Sequence, residues 1–336
     1  MLTLAGLGLL AVVSTGVVWV GSDHLERAAN QISIYYGLPA IVQGAVVIAI
    51  GSSMPELTAA VLAPLVHGDF SLGVAAIVGS AIFNVLVIPA LAALSSPGDI
   101  GATRELVYKE AQFYLIAVAV FLLMLSLAVI YYPIDHGELG GRVTPLLALG
   151  PLALYALYGF IQYQDTVDHV PARDPAGIRV GAAWLRFVGG FVLILIGVEG
   201  LLRAAIGFGA ALDTPSFVWG LTIVAAATSI PDAFVSVRAA GQDRPVTSIA
   251  NVFGSNVFDL LVAVPLGVLV AGVALIDFAQ LAPLVGFLIV ATIALFAELR
   301  TSFTLTRVEA ASLLGLYAVF LVWVILAAFG VIPGPA

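Results

Sequence analysis

Polar residues in this chain come in clumps, and between the clumps run long stretches with almost none. A helix needs ~20 mostly apolar residues to cross ~30 Å of hydrocarbon. Ten stretches meet that length: Leu2–Val20, Leu38–Val66, Ser71–Leu94, Gln112–Ile130, Val143–Gln162, Ala182–Leu202, Pro215–Ala240, Val246–Val270, Ala279–Phe296 and Glu309–Phe329. Each is continuously apolar rather than alternating, which predicts helices and not the strands of a barrel. The expected fold is an all-α membrane protein of ten transmembrane helices. The first stretch lacks a basic segment before it and a small-residue cleavage site, so it reads as a retained span rather than a signal peptide.

Composition sharpens this. Hydrophobic residues make up 62% of the 336 and charged residues 10%, where a soluble domain carries about 25% charged. A soluble globule is excluded. With no cysteine there is no disulfide framework, thiolate metal site or Cys nucleophile. A net charge of −8 argues against a nucleic-acid partner. The expected surroundings are a lipid bilayer.

The basic residues set the orientation. Sorted by loop, Arg27, Arg104, Lys109, Arg173, Arg179, Arg186, Arg238, Arg244, Arg300 and Arg307 fall on one side, and only Arg142 and Arg203 on the other. Positive charge concentrates in the cytoplasm, so both termini are expected outside it, in the cell membrane. The longest connection, about Tyr163 to Gly181, is short and rich in Pro, Asp and Arg. It leaves no room for a soluble domain. The chain divides into halves at 1–163 and 182–336, joined by a cytoplasmic linker over 164–181, as one membrane domain.

The halves repeat each other. Ile50-Gly51-Ser52-Ser53-Met54-Pro55-Glu56 matches Ala226-Ala227-Thr228-Ser229-Ile230-Pro231-Asp232 at an offset of 176, and Gly21, Leu25 and Gly44 match Gly197, Leu201 and Gly220 at the same offset. Gly79-Ser80-Ala81-Ile82-Phe83-Asn84 matches Gly254-Ser255-Asn256-Val257-Phe258-Asp259 at 175. Five spans per half is an odd number, so the second half enters from the opposite side. That is an inverted-topology repeat, common among secondary transporters.

Three acids lie near the middle of apolar stretches: Glu56, Asp232 and Asp259. An acid at the bilayer centre costs ~2.5–3.5 kcal/mol, and no Lys or Arg lies near the middle of a span to pair with them; Arg186 and Arg238 stand close to the ends of theirs. Their neighbours at helical spacing are oxygen donors. Ser52 and Ser53 precede Glu56 by four and three residues, Thr228 and Ser229 precede Asp232 likewise, and Ser80 and Ser255 stand four before Asn84 and Asp259. Pro55 and Pro231 deprive the carbonyls of Gly51 and Ala227 of their helical partners. Such breaks inside a membrane line a cavity or bind an ion. All four histidines fall in loops or at span ends and are expected to be solvated. The donor set is hard oxygen, which suits Ca²⁺ or Na⁺ better than zinc, copper or the reluctantly dehydrated Mg²⁺.

These two motif pairs resemble the alpha-repeats of the cation/calcium exchanger superfamily, and the five-plus-five layout extends the likeness over nearly the whole chain. The resemblance implies antiport of Ca²⁺ against Na⁺ by alternating access. It implies ion ligands at Glu56, Asn84, Asp232 and Asp259, supporting ligands at Ser52, Ser53, Ser80, Thr228, Ser229 and Ser255, and backbone carbonyls near Ala49 and Ala225 for Na⁺. Asp232 stands where prokaryotic sodium/calcium exchangers often carry Glu. With His67-Gly68-Asp69 and the Ser-Ser-x-Pro-Glu stretch, it leans toward the potassium-dependent branch. Asn251, the mate of Ala76, reads as peripheral. Three ionised carboxylates exceed the charge of Ca²⁺ by one, and a proton or a K⁺ at Asp259 would cancel the excess. Spans one and six, rich in glycine (Gly6, Gly8, Gly16, Gly21; Gly189, Gly190, Gly197, Gly200), are the expected sliding bundle.

Two alternatives stay open: potassium-dependent exchange and proton/calcium exchange. The chain carries no Gly-x-Gly-Asp, no His-Glu-x-x-His and no histidine inside a span, so an intramembrane enzyme is not expected, and neither is a bound cofactor.

Overall fold

The computed structural model describes residues 3–37, 49–96, 98–104, 106–134, 139–164, 177–241 and 245–334. Among these, eight helices are long and apolar enough to cross a membrane, and a bent pair, Ser216–Thr228 with Ile230–Gly241, makes up to nine. The second predicted stretch falls partly on residues 38–48, outside the described residues. Its described part is α2 (Ala49–Ser52) and α3 (Met54–His67). The predicted linker likewise lies largely outside them, at 165–176.

The two longest helices overrun their predicted ends. α1 covers Leu4–Tyr35 and α7 covers Val180–Leu212, where the apolar windows closed at Val20 and Leu202. In α1 the window closes at Asp23, His24, Glu26 and Arg27, but the helix does not. Asp23 and Arg27 pair one turn apart at 2.6 Å, and Leu25, Ala28 and Ala29 stay buried on the other face. A charge ends contact with lipid; it does not end the i→i−4 ladder.

α1 and α7 pack backbone to backbone. A Cβ on Gly21 would sit 2.9 Å from the Gly190 carbonyl oxygen and 2.9 Å from Ile194 N, and one on Gly197 would sit 2.9 Å from Val18 N and 3.0 Å from the Ser14 carbonyl oxygen. These two sets are repeat mates at the offset of 176, with the helices exchanging roles. Gly8, Gly16 and Gly189 meet nothing within 4 Å. The small residues split into a contact stripe and an open face.

α4 (Phe70–Ser95) is the central post. Between its terminal turns it is apolar on every side except for Ser80 and Asn84, and a helix of that kind belongs in a core. α3, α10 (Ile230–Gly241), α11 (Pro245–Phe258), α13 (Phe278–Ser302) and α14 (Arg307–Ala328) all pack on it. The turn leading into α4 is compact. Gly68, at φ +66°, stops α3, and Asp69 caps α4 by accepting from Leu72 N at 3.0 Å. α5 (Ala111–Tyr131) and α6 (Pro145–Gln164) flank this core. Short antiparallel pairs tie the loops: β1 (Ile100–Gly101) with β4 (Thr304–Leu305), and β2 (Gly140–Val143) with β3 (Ala274–Asp277).

The predicted seventh and eighth stretches are not plain helices. The seventh runs through α8 (Ser216–Trp219), a widened π-type turn at Gly220–Val224, α9 (Ala225–Thr228) and then α10. The eighth passes from α11 through a π-type turn at Asp259–Ala263 into α12 (Val264–Ala271). Such turns concentrate at functional sites, and periodicity in the sequence does not reveal them.

Candidate cation-binding site

Each repeat breaks a helix at its serine. α2 ends at Ser52 and α3 begins at Met54; α9 ends at Thr228 and α10 begins at Ile230. The residues between, Ser53 and Ser229, have nearly the same backbone, φ −88°, ψ 9° and φ −80°, ψ −4°. The second break bends its helices by 41°. Both breaks follow from Pro55 and Pro231, whose rings displace the preceding turn. Each places its acid, Glu56 or Asp232, in the first turn of the new helix.

The two breaks meet at α4 and α11. Ser52, Ser53, Glu56, Ser80, Asn84, Thr228, Ser229, Asp232, Ser255 and Asp259 are all buried. Glu56 Oε1 accepts from Ser80 Oγ at 3.3 Å and from Ser229 Oγ at 3.4 Å, and those hydroxyls are 2.7 Å apart. Asp232 Oδ2 accepts from Asn84 Nδ2 at 3.4 Å. Ser52 and Ser255, 3.5 Å apart, both lie beside Asp232. Thr228 lies beside Glu56 and Ser53 beside Asp259. Glu56 and Asp232 are therefore each lined by hydroxyls of both halves: Ser80 with Thr228 and Ser229 for Glu56, and Ser255 with Ser52 for Asp232.

Glu56 lies within Coulombic reach of both Asp232 and Asp259. Among the described residues, the ion pairs join Asp23 to Arg27, and Glu199 to His67 and Arg203; none involves these three acids. Several buried oxygens here have no hydrogen-bond partner: Glu56 Oε2, Asp232 Oδ1, both oxygens of Asp259, Asn84 Oδ1 and Ser53 Oγ. Leaving such groups unpaired in an apolar interior is costly. Among the described residues no three acids or histidines converge tightly enough to grip a metal by themselves. A cation held here would therefore take hydroxyl and amide oxygens as well as carboxylates, which suits the mixed, flexible shell of Ca²⁺.

The backbone ligands stand differently. Ala225 opens α9, and its carbonyl already accepts from Thr228 Oγ1 at 3.2 Å and Ser229 N at 3.1 Å. Ala49 opens α2. His67, expected to be solvated, is half-buried at the end of α3, with Nε2 3.0 Å from Glu199 Oε2 on α7.

Three site neighbours were not singled out as such by their sequence. Asn251, which read as peripheral, lies beside Asp232 and donates to Ser236 Oγ at 3.2 Å. Glu26 of α1 lies within Coulombic reach of Asp232, and its Cα is 3.6 Å from where a Cβ would stand on Gly51. Asn256, fully buried, bonds Asn84, the Ala81 carbonyl and Tyr114. An amide inside an apolar stretch, mated to Ala81 in the other repeat, was the available signal for it.

Comparison with known proteins bears on the fold and the family. A model of the sodium/calcium exchanger protein family matches residues 6–164 and 182–326. The chain is 25% identical over 342 residues to the sodium/calcium exchanger MaX1 of Methanosarcina acetivorans, covering 93% of this chain and 97% of that one. Its fold aligns with a solved structure of the sodium-calcium exchanger NCX_Mj at a TM-score of 0.63 and 22% identity, over 95% of this chain and 98% of that one. It aligns with the H⁺/Ca²⁺ exchanger CAX at 0.73 and 16%, over 98% and 82%. Those last two likenesses concern the fold. With nearly all of both halves matched by the family model, this chain is a member of the sodium/calcium exchanger protein family.

Proposed function

We propose that this protein is a secondary antiporter exchanging Ca²⁺ for Na⁺ by alternating access, with the ions bound at the membrane midplane between the two halves. The observation that carries the reading is the buried oxygen cluster. Four acid-, amide- or hydroxyl-bearing segments of both halves converge, the acids have unpartnered oxygens, and among the described residues no basic side chain pairs with them. Glu56, Asp232, Asn84 and Asp259 are the proposed ligands. Ser52, Ser53, Ser80, Thr228, Ser229 and Ser255 complete the shells, with backbone near Ala49 and Ala225 serving Na⁺.

Ten spans in two inverted five-helix repeats remain the proposed topology. The two matched segments, 6–164 and 182–326, support halves at 1–163 and 182–336. The role-exchanging contacts of Gly21 and Gly197 support a two-fold relation between them. The charge asymmetry supports a cell-membrane protein with both termini outside the cytoplasm. α1 and α7 form the proposed sliding bundle.

A second reading has its own observation. Both oxygens of Asp259 are unpartnered, and Ca²⁺ neutralises only two of three carboxylates. A co-bound K⁺ or a proton there would neutralise the third, giving potassium-dependent or proton-coupled exchange. The deciding experiment is ⁴⁵Ca²⁺ uptake into Na⁺-loaded proteoliposomes, with and without K⁺ on both sides. Uptake driven by the Na⁺ gradient alone supports simple exchange. A requirement for K⁺ supports the second reading, and uptake driven only by a pH gradient overturns Na⁺ as the counter-ion.

A further inference from the structure

The side chain of Asn256 hydrogen-bonds one proposed ligand, Asn84, and it is fully buried with three of its bonds satisfied. Its nitrogen can be identified by chemistry. Nδ2 stands 3.1 Å from the Ala81 carbonyl oxygen, and a carbonyl only accepts. The second hydrogen of that amide reaches the Tyr114 hydroxyl at 3.0 Å. Tyr114 is itself held beside Thr292, whose hydroxyl donates to the Leu288 carbonyl at 2.7 Å. Both hydrogens of Asn256 are thus committed, and its oxygen faces Asn84 at 3.0 Å.

An oxygen there admits only a donor. The Asn84 atom opposite must be its NH₂, so the unpartnered atom of Asn84 is Oδ1. The other orientation would set two acceptors against each other and turn amide hydrogens outward. For a cation the difference is decisive, because an amide oxygen coordinates and an amide NH₂ repels. Asp232 Oδ2, 3.4 Å from the same nitrogen, favours the same orientation. Asp232 is a proposed ligand, however, and its oxygens are drawn to the cation when one binds. Asn256 is not a proposed ligand, and its polar atoms are already engaged.

We infer that Asn256, backed by Tyr114, is a positioning residue that fixes the amide of Asn84 with its oxygen toward the cation. The inference rests on the proposed reading of Asn84 as a ligand. It joins the halves in an unexpected way, since Asn256 grips the carbonyl of Ala81, its own repeat mate, and so sits close to the axis relating them.

The test is a double-mutant cycle read by equilibrium ⁴⁵Ca²⁺ binding to the purified full-length protein, alongside uptake kinetics in proteoliposomes. Asn256→Ala is expected to weaken Ca²⁺ binding and raise the Ca²⁺ KM by about tenfold with kcat little changed, and the Asn84→Ala/Asn256→Ala double variant to be no worse than Asn84→Ala. Tyr114→Phe, which deletes one hydroxyl, is expected to weaken binding by about threefold, again only while Asn84 is present. Additive losses in the cycle would overturn the inference, as would a lowered kcat with unchanged binding. If Asn256→Ala does not fold, Tyr114→Phe decides by the same cycle. Unaltered Ca²⁺ binding in Asn84→Ala removes both the ligand reading and this inference. Binding that obeys the cycle in a protein without Na⁺-driven uptake would leave the inference standing and remove only the exchange reading.

Discussion

The hydroxyls of Ser80 and Ser229 lie 2.7 Å apart, and both reach Glu56 Oε1, at 3.3 and 3.4 Å. With Glu56 ionised, three contacts share two hydroxyl hydrogens, so one contact brings two lone-pair oxygens together. A cation among them would relieve that crowding.

Removing one hydroxyl relaxes the cluster but also removes an oxygen from the shell. Ser80→Ala and Ser229→Ala should each raise the Ca²⁺ KM by roughly tenfold, about 1.4 kcal/mol, with the protein still folded. The double variant should depart from additivity because the two hydroxyls touch. Initial rates of Na⁺-driven ⁴⁵Ca²⁺ uptake over a Ca²⁺ series measure this, and unchanged KM in both single variants would separate these serines from the ion shell.

The three acids should not be equivalent. Glu56 and Asp232 sit at the breaks with hydroxyls or amides already aimed at them, so Glu56→Gln or Asp232→Asn should abolish exchange. Asp259→Asn removes the charge in excess of Ca²⁺ and should retain exchange, losing whatever dependence on K⁺ or protons the wild type shows. The uptake assay run with and without K⁺ at two pH values compares all three. Wild-type flux in Glu56→Gln and Asp232→Asn would remove the site assignment.

The acids were legible in the sequence because hydrocarbon makes a carboxylate so costly that its position draws attention. The proline breaks were legible too, since Pro55 and Pro231 act through covalent structure. Asn256 was not, because a buried amide is cheaper than a buried acid and its mate, Ala81, carries no side-chain polarity. The ends of α1 and α7 were missed for a different reason: hydropathy marks where lipid contact stops, while Asp23 and Arg27 continue the helix by pairing along it. The π-type turn at Asp259 leaves no periodic mark at all.

Glycines of one helix make a controlled comparison. Gly21 faces the α7 backbone, whereas Gly16 faces open space. Gly21→Ala must force α1 and α7 apart and should destabilise by about 1–3 kcal/mol. Gly16→Ala should be neutral or stabilising by up to about 1 kcal/mol, since Ala favours helix. Thermal unfolding of the detergent-solubilised protein reads both, and equal midpoints would contradict the backbone contact. Gly197→Ala, the repeat mate, should behave as Gly21→Ala does.

Gly79 and Gly254 are repeat mates in one motif, yet the structure treats them differently. A Cβ on Gly79 would collide with the Leu221 carbonyl oxygen and stand 2.7 Å from the Ala225 side chain, while one on Gly254 would meet nothing within 4 Å. The contact at Gly79 brings α4 against the segment leading into the second break. Inverted repeats allow an alternating access in which each half takes up the other's conformation on the opposite side of the cycle. Gly254 would then acquire in the other state the close contact that Gly79 makes here. Gly79→Ala should destabilise this conformation, by about 1–3 kcal/mol as overpacking does. Gly254→Ala should leave it as stable as wild type, with Ca²⁺ binding intact, and still slow exchange by disfavouring the other state. Stability, equilibrium ⁴⁵Ca²⁺ binding and uptake rate measured on the same preparation separate these effects. Wild-type turnover in Gly254→Ala would mean that the asymmetry between the mates is permanent, and that the two halves do not exchange conformations during transport.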